Sequence, residues 1–256
     1  MVTLVGKLPQ FLKYGSAFDL VRIGNRNDGG YLVSLADVNK TDLLLGLGVL
    51  DDWTFEKQFI ELNDVPLHTY DATISLKILF INTIKNLFRV KKLYKSIILT
   101  IKFWSFFKKN RIHFAKHVGN QELELRHNYF VSLEKILSSL NYQNIFIKID
   151  IEGGEYRILK VLLENSNKIT GLVIEFHDCD LHLQEIKNFV KAFPQKIIHI
   201  HANNSAPIDL KTRLPYVLEI SFSKYAPLKK SADLNHIYDS PNNPGRSEIS
   251  LSFEKK

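Results

Sequence analysis

The alternation of apolar and polar positions divides the chain into short β-preferring runs separated by stretches of helical spacing. Phe18, Leu20, Val21 and Ile23 predict a strand. Asn27-Asp28-Gly29-Gly30 predicts a tight turn, and Tyr31-Leu32-Val33 the returning strand of a hairpin. Residues 43–45 predict the next strand, running into Gly46-x-Gly48, and Asp51-Asp52 opens a helix carrying Phe55, Phe59 and Leu62. Asp52 is a natural N-cap there, with Glu56 in the first turn. Residues 66–70 read as a second core strand ending in Asp71, and 112–115 as a third, with Val118-Gly119-Asn120 as its turn. A helix within 130–140, capped by Ser132, precedes Ile145, Phe146, Ile147 and Ile149. That nearly continuous apolar run fits a strand buried on both faces of a parallel sheet. After Gly153-Gly154 the spacing turns helical, with Tyr156, Leu159, Leu162 and Leu163. A buried strand at 172–176, a helix over 181–193 and strands at 197–201 and 216–222 complete the α/β alternation. The Pro/Gly/Asn-rich tail at 240–251 reads as an ordered loop or a short added strand.

Residues 72–111 break this economy, since a crossover between parallel strands needs little more than one helix. Their spacing predicts two helices, with Lys and Arg on one side and Leu, Ile, Phe and Trp104 on the other. We expect first a helical insertion packed on the sheet with a solvated basic face. Next comes peripheral contact with anionic lipid or a lipid-linked acceptor. Nucleic acid is the least favoured partner.

Composition narrows the picture. At 256 residues, with 45% hydrophobic and 24% charged positions, the chain is the size of one large α/β domain spanning 1–256. Within it, 1–40 would form an N-terminal hairpin extension, 72–111 the insertion and 224–256 a C-terminal tail. The single cysteine, Cys179, excludes an internal disulfide framework. No secretory signal stands at the N-terminus and no apolar run is long enough to span a bilayer, so the expected location is cytoplasmic. The net charge of +7 is one patch: between Ala72 and Gln121 there are eleven Lys or Arg and no Asp or Glu. Oligomeric state leaves no trace in the sequence.

Candidate chemistry gathers at strand ends, where open α/β sheets bind their ligands. Asp150, Glu152 and Glu155 surround the Gly153-Gly154 pair, although acids at a helix N-terminus also arise from the macrodipole alone. Gly46 and Gly48 would let a ligand approach the backbone. Asp71, about 20 residues further on, is placed to bind ribose hydroxyls, a geometry that nucleoside cofactors share. A third glycine, required by a dinucleotide fingerprint, is replaced by Asp51.

The run KIDIEGGEYRIL, from Lys148 to Leu159, resembles the signature of FkbM-type methyltransferases, a family of the S-adenosylmethionine (SAM) dependent class I fold. Asp28-Gly29-Gly30-Tyr31, Glu175-x-His177, His201-x-Asn203-Asn204 and the Pro215-Tyr216-Val217-x-Glu219 entry to the last strand are similar to further features of that family. The resemblance covers most of 18–251 except the insertion. It implies a Rossmann-like α/β fold with a mostly parallel seven-stranded sheet flanked by helices. It also implies SAM as cofactor and O-methylation of a sugar or glycan precursor. By the same analogy Gly119 would lie near adenine, Gly46 and Gly48 under the methionine part, and Asp28 at a lining segment, though turn chemistry alone explains Asp28.

On such a sheet Asp150, Glu175, His177, Asp178, His201 and Asn203 would share one rim. His177 or His201 would act as general base toward an acceptor hydroxyl, with Asp150 and Glu152 beside the reacting centre. Alternatively, Asp150 with Glu175, His177 or His201 would bind a divalent cation such as Mg²⁺. Base catalysis without metal is the preferred expectation. Two rival functions are an NAD-linked oxidoreductase and a non-catalytic module docking on membrane or nucleic acid through 72–111.

Overall fold

The computed structural model describes residues 4–255. The first three residues and the last, which fall within the expected N-terminal extension and C-terminal tail, lie outside it. In chain order the strands and helices are β1 (Leu4–Leu8), β2 (Leu20–Ile23), β3 (Tyr31–Ser34), α1 (Leu35–Asn39), β4 (Leu43–Leu47), α2 (Thr54–Leu62), β5 (Leu67–Tyr70), α3 (Leu76–Lys85), α4 (Val90–Phe106), β6 (Arg111–Phe114), β7 (His117–Gly119), α5 (Gln121–Arg126), β8 (Phe130–Ser132), α6 (Leu133–Ser139), β9 (Ile145–Ile149), α7 (Leu159–Glu164), β10 (Ile169–Phe176), α8 (Leu183–Ala192), β11 (Lys196–Ala202), β12 (Leu218–Ser223) and β13 (Ile249–Phe253).

The central sheet has seven strands in the order β11-β12-β10-β9-β4-β5-β6. β10, β9, β4, β5 and β6 pair in parallel, and β12 runs antiparallel between β10 and β11. This is a Rossmann-like α/β sheet, mostly parallel with one antiparallel strand. Its near-continuous apolar runs follow from burial on both faces. Leu43, Leu45, Ile145, Ile147, Leu172 and Ile174 pack into one core cluster. Leu44, Phe146 and Val173, one residue out of step, pack into the other with Phe55 and Phe59 of α2. The alternation is that of a strand, and α2 reaches the sheet because its phenylalanines recur at helical spacing.

Local details depart from expectation in two places and meet it in a third. Val118-Gly119 is not a turn: β7 pairs in parallel with β8, the segment expected as the start of a helix, and that helix begins at Leu133 under the Ser132 cap. The helix after Gly153-Gly154 is shorter than its spacing implied, a single 3-10 turn followed by α7. The tail contributes β13, which pairs in parallel with β1.

The insertion forms the two expected helices, α3 and α4, and its base packs on the sheet as expected, against Leu44, Leu67 and Phe146, while its apolar outer face was not expected. Its Ile74, Leu79, Phe103 and Phe106 enter the core beside Trp53, while most other large apolar side chains of both helices are exposed. None of the described helices is long and apolar enough to cross a membrane.

Candidate functional site

Strand order reverses between β4 and β9, since β4 leads through α2 to β5 on one side and β9 leads through α7 to β10 on the other. Such a switch point opens a crevice at the strands' carboxyl ends. Gly48 lies in it with φ +80°, and a Cβ there would fall 1.7 Å from the Asp150 carbonyl oxygen. Only glycine lets the two strand ends approach so closely. The ends are also bonded, Asp150 N–H to the Leu47 carbonyl at 2.9 Å and Gly48 N–H to the Tyr70 carbonyl at 3.0 Å.

Asp71, at the tip of β5, holds the turn after Gly48. Its Oδ2 accepts from the Val49 and Leu50 amides at 3.0 and 2.8 Å, and its Oδ1 from the Thr73 amide and hydroxyl at 2.7 and 2.5 Å. Burial would raise its pKa, but these donors together hold it below the usual carboxylate range. Gly46 serves packing: a Cβ would press on Glu56 Oε1 at 2.9 Å and Thr69 Cγ2 at 3.2 Å.

A cavity of about 430 Å³ opens over these strand ends. Gly48, Leu50, Tyr70, Asp71 and Thr73 form one wall, His117, Val118, Tyr129 and Phe130 the second, and Asp150 to Gly154 with Arg157 the third. Of the expected site residues, Gly48, Asp71, Asp150 and Glu152 line it. Gly119 stands behind the aromatic wall, where a Cβ would meet Leu123 and Phe130.

The loop after β9 carries Glu152 at φ +51° and Gly153 at φ +88°. Glu152, a non-glycine residue in the left-handed region, is held there by Glu155. The Glu155 side chain is fully buried, and its Oε1 accepts from the Ile151 and Gly153 amides at 3.1 and 3.3 Å. The same oxygen lies 3.1 Å from His177 Nδ1, which fixes the imidazole with Nε2 3.5 Å from Glu152 and 3.6 Å from Glu175. Tyr156 donates its hydroxyl to the His177 carbonyl. Burial pulls the His177 pKa down, but Glu155 and then Glu175 and Asp150 outweigh it, raising it to about 9.

Behind His177 lies an acidic group, buried at Glu175 and Glu219, half-buried at Asp150 and exposed at Asp28. Ligand atoms of Asp150, Glu175 and His177 all lie within 4.8 Å of one another, as do those of Asp28, Glu175 and Glu219. Glu175 accepts from the Tyr31 hydroxyl at 3.1 Å and from Asn203 Nδ2 at 2.9 Å. Asn242 bridges Asp28 and Glu219 at 3.0 and 2.6 Å. Asp28 thus joins this group instead of the cavity wall. Burial raises the pKa of Asp150 and, more strongly, of Glu175. His201 stands apart from the cavity. Its ring nitrogens lie 2.9 Å from Glu219 and 3.1 Å from Glu248. Burial opposes its protonation, yet the two acids raise it to about 10, and both ring nitrogens are engaged by them.

The cation among these acids is Lys148, which sequence reasoning did not single out. Its ammonium donates to the Gly48 carbonyl at 2.7 Å and lies 3.9 Å from Asp150 Oδ2. Burial lowers its pKa, and Asp150, Glu56 and Glu175 together more than restore it. A lysine inside an apolar strand, two residues before an aspartate, was the available signal. Tyr31 and Glu219 stood in the motifs of the resemblance without an assigned role, and Asn242 with the aromatic wall of His117, Tyr129 and Phe130 gave no signal, because only tertiary contacts bring them here.

Two acids and an imidazole could ligate a first-row divalent ion, and Glu155 on Nδ1 is the kind of partner that orients a histidine ligand. Mg²⁺, which favours oxygen donors throughout, fits the set less well.

The sequence matches no protein-family model. No curated protein matches it either. Among solved structures, it is similar to a fibrillarin pre-rRNA processing protein of Methanococcus jannaschii (10% identity, 75% of this chain and 70% of that chain, TM-score 0.37). It is also similar to an rRNA methylase of Streptococcus thermophilus (10%, 74% and 91%, TM-score 0.38). A third is a precorrin-6y C5,15-methyltransferase of Geobacter metallireducens (12%, 74% and 86%, TM-score 0.38). Likeness at this level carries no argument about activity or substrate.

Proposed function

We propose that this chain is a SAM-dependent methyltransferase, and more finely that it O-methylates a saccharide hydroxyl. The observation that carries the reading is the charge of the crevice at the switch point. Asp71, Asp150 and Glu152 line it against one cation, Arg157, with Tyr70, Tyr129 and Phe130 beside them. An adenosine ligand bearing cationic sulfonium and ammonium groups is attracted to such a cavity. The pyrophosphate of NAD is repelled by it. The backbone amides that would cradle a phosphate, Val49 and Leu50, already serve Asp71, and Asp51 and Asp52 precede α2.

SAM, when bound, supplies a methyl group activated on sulfonium. The protein's own residues do the rest. Gly48 keeps the backbone low beneath the ligand, and Lys148 and Asp71 hold the two strand tips in place. Asp150 and Glu152 offer negative charge to a cationic ligand. His177, oriented by Glu155, presents Nε2 to take the proton of an acceptor hydroxyl as the ring loses its own proton, through about pH 9. The saccharide reading is supported by the FkbM-like motifs and by Glu175 beside His177, with the Asn203 amide bonded to it.

A second reading adds a divalent ion at Asp150, Glu175 and His177, favoured by the convergence of their ligand atoms. It would polarise the acceptor oxygen in place of the base.

Titration calorimetry with SAM and NAD tests the proposal. SAM is expected to bind at micromolar concentration and NAD not at all. Glu152→Lys, at a solvent-exposed side chain, should abolish SAM binding while the protein stays folded. No SAM binding to the folded wild type would refute the proposal. Transfer of labelled methyl to saccharide acceptors, with and without chelator, then separates the metal-free base from the metal reading.

A further inference from the structure

We infer that the α3–α4 hairpin is a docking surface for anionic phospholipid bilayers, seated in the interface without crossing it. Beyond its buried base at Leu79, Phe103 and Phe106, the hairpin leaves apolar side chains on its outside. Between its helices lie polar contacts, Thr83 Oγ1 to Thr100 Oγ1 at 3.5 Å and Asn86 Nδ2 to Ser96 Oγ at 3.0 Å. Outside, α4 presents Val90, Tyr94, Ile97, Ile101 and Trp104, all exposed, at successive spacings of four, three, four and three residues. That is one continuous stripe along a helix. On α3, Leu76, Phe80 and Ile84 form a second exposed row one turn apart. At the connecting turn Phe88 is 99% and Val90 80% exposed. An apolar surface of this extent is a binding surface by its nature.

The occupant is read from charge. From Ala72 to Gln121 every charged side chain is Lys or Arg, eleven in all. On α4, Lys91, Lys95 and Lys102 are all exposed and, at spacings of four and seven, flank the apolar stripe. An apolar face edged by lysines inserts among acyl chains while its cations meet anionic headgroups. A second copy of this chain would bring like charges together. Nucleic acid would leave the aliphatic stripe uncovered. The base of the hairpin is fixed, with Phe103, Phe106 and Phe107 packed around Trp53. Ser75 caps α3 four residues after Asp71, so the docking surface is rooted at the wall of the cavity.

The test is co-sedimentation of the full chain with vesicles of neutral phosphatidylcholine and of the same lipid carrying phosphatidylserine, in the absence of SAM. Binding at least ~10-fold stronger to the anionic vesicles is expected, weakening in high salt. A blue shift of tryptophan emission should accompany it and vanish in Trp104→Phe. Lys91→Glu/Lys95→Glu/Lys102→Glu and, independently, Phe88→Asp should each reduce binding ~10-fold or more. All these positions are exposed, so the variants should keep the wild-type circular dichroism. Three results would overturn the inference: no vesicle binding, equal binding to neutral vesicles, or tighter binding to an oligonucleotide than to anionic vesicles. A stable dimer in light scattering that dissociates in Phe88→Asp would overturn it as well. Because no arm uses SAM, failure here and failure of the methyltransferase reading are separate.

Discussion

Lys148 is the residue whose removal most directly tests how the candidate site is held. The Lys148→Met substitution keeps most of the side-chain volume and deletes the charge. Its ammonium is buried, bonded to the Gly48 carbonyl at 2.7 Å and 3.9 Å from Asp150. Buried Glu56, neither of whose carboxylate oxygens has a hydrogen-bond partner, depends on the same charge. Breaking one side of a buried ionic group costs about 3–5 kcal/mol, because the remaining charge is left uncompensated. That loss is expected near pH 8. The folded-state pKa values of Asp150 and Glu56 are already raised, primarily by burial. The native state therefore holds their protons at pH values where the unfolded chain has released them. Stability from these two groups falls as pH rises through the folded-state values, and without Lys148 the fall extends to higher pH. As pH falls and these carboxylates take up protons they need no cation, and the deficit should shrink to about 1–2 kcal/mol, the lost hydrogen bond to Gly48. Urea unfolding of both proteins across this range measures the deficit. A deficit below about 1 kcal/mol at pH 8, or one that does not change with pH, would refute the assignment of Lys148 as the charge partner of these acids.

Gly48→Ala combines left-handed strain with a clash against the Asp150 carbonyl and should cost more than about 3 kcal/mol, whereas Gly153→Ala, at φ +88° with nothing within 4 Å, should cost only about 1–2 kcal/mol. Comparing their thermal unfolding isolates the clash. If His177 is the base, kcat/KM should rise with pH through about 9, and Glu155→Gln should move that inflection down by weakening the hold on the protonated ring. A pH profile that ignores the Glu155 substitution would remove His177 from the reaction. The same raised pKa contributes stability that is complete below the ordinary histidine value and disappears as pH rises through about 9, which urea unfolding on either side of that value should register. Cys179 is buried, its thiol directed at the Phe176 carbonyl at 3.2 Å and pushed well above its ordinary pKa by burial. It should resist thiol reagents in the native protein and react once urea unfolds it.

The sequence by itself determined the core strands, the main helices and their order, but not β1, α1, β7, α5 or β8. Nearly continuous, β-preferring apolar runs at β4, β9 and β10 fit strands covered on both faces, and the glycines and acids that follow them marked the ligand-binding edge. Gly48, Asp71, Asp150 and Glu152 were legible because each lies next to a strand end, where neighbours in sequence are also neighbours in space. The same logic misread Val118-Gly119, since a three-residue strand such as β7 exists only when β8 arrives to pair with it. What tertiary structure alone decided is which distant groups share the site. Glu155 reaches across to His177, Asn242 returns from the tail to Asp28 and Glu219, and Lys148 is seen to be the buried counter-charge of the crevice. His177 and His201 look alike in sequence. Packing gives one a nitrogen facing Glu152 beside the cavity and encloses both nitrogens of the other between acids. The insertion makes the same point at larger scale: spacing predicted two amphipathic helices, but only the fold turned their polar contacts inward and left the apolar stripe facing out. Periodicity records that a face differs from its opposite, and the direction that face takes depends on what the rest of the chain leaves to cover it.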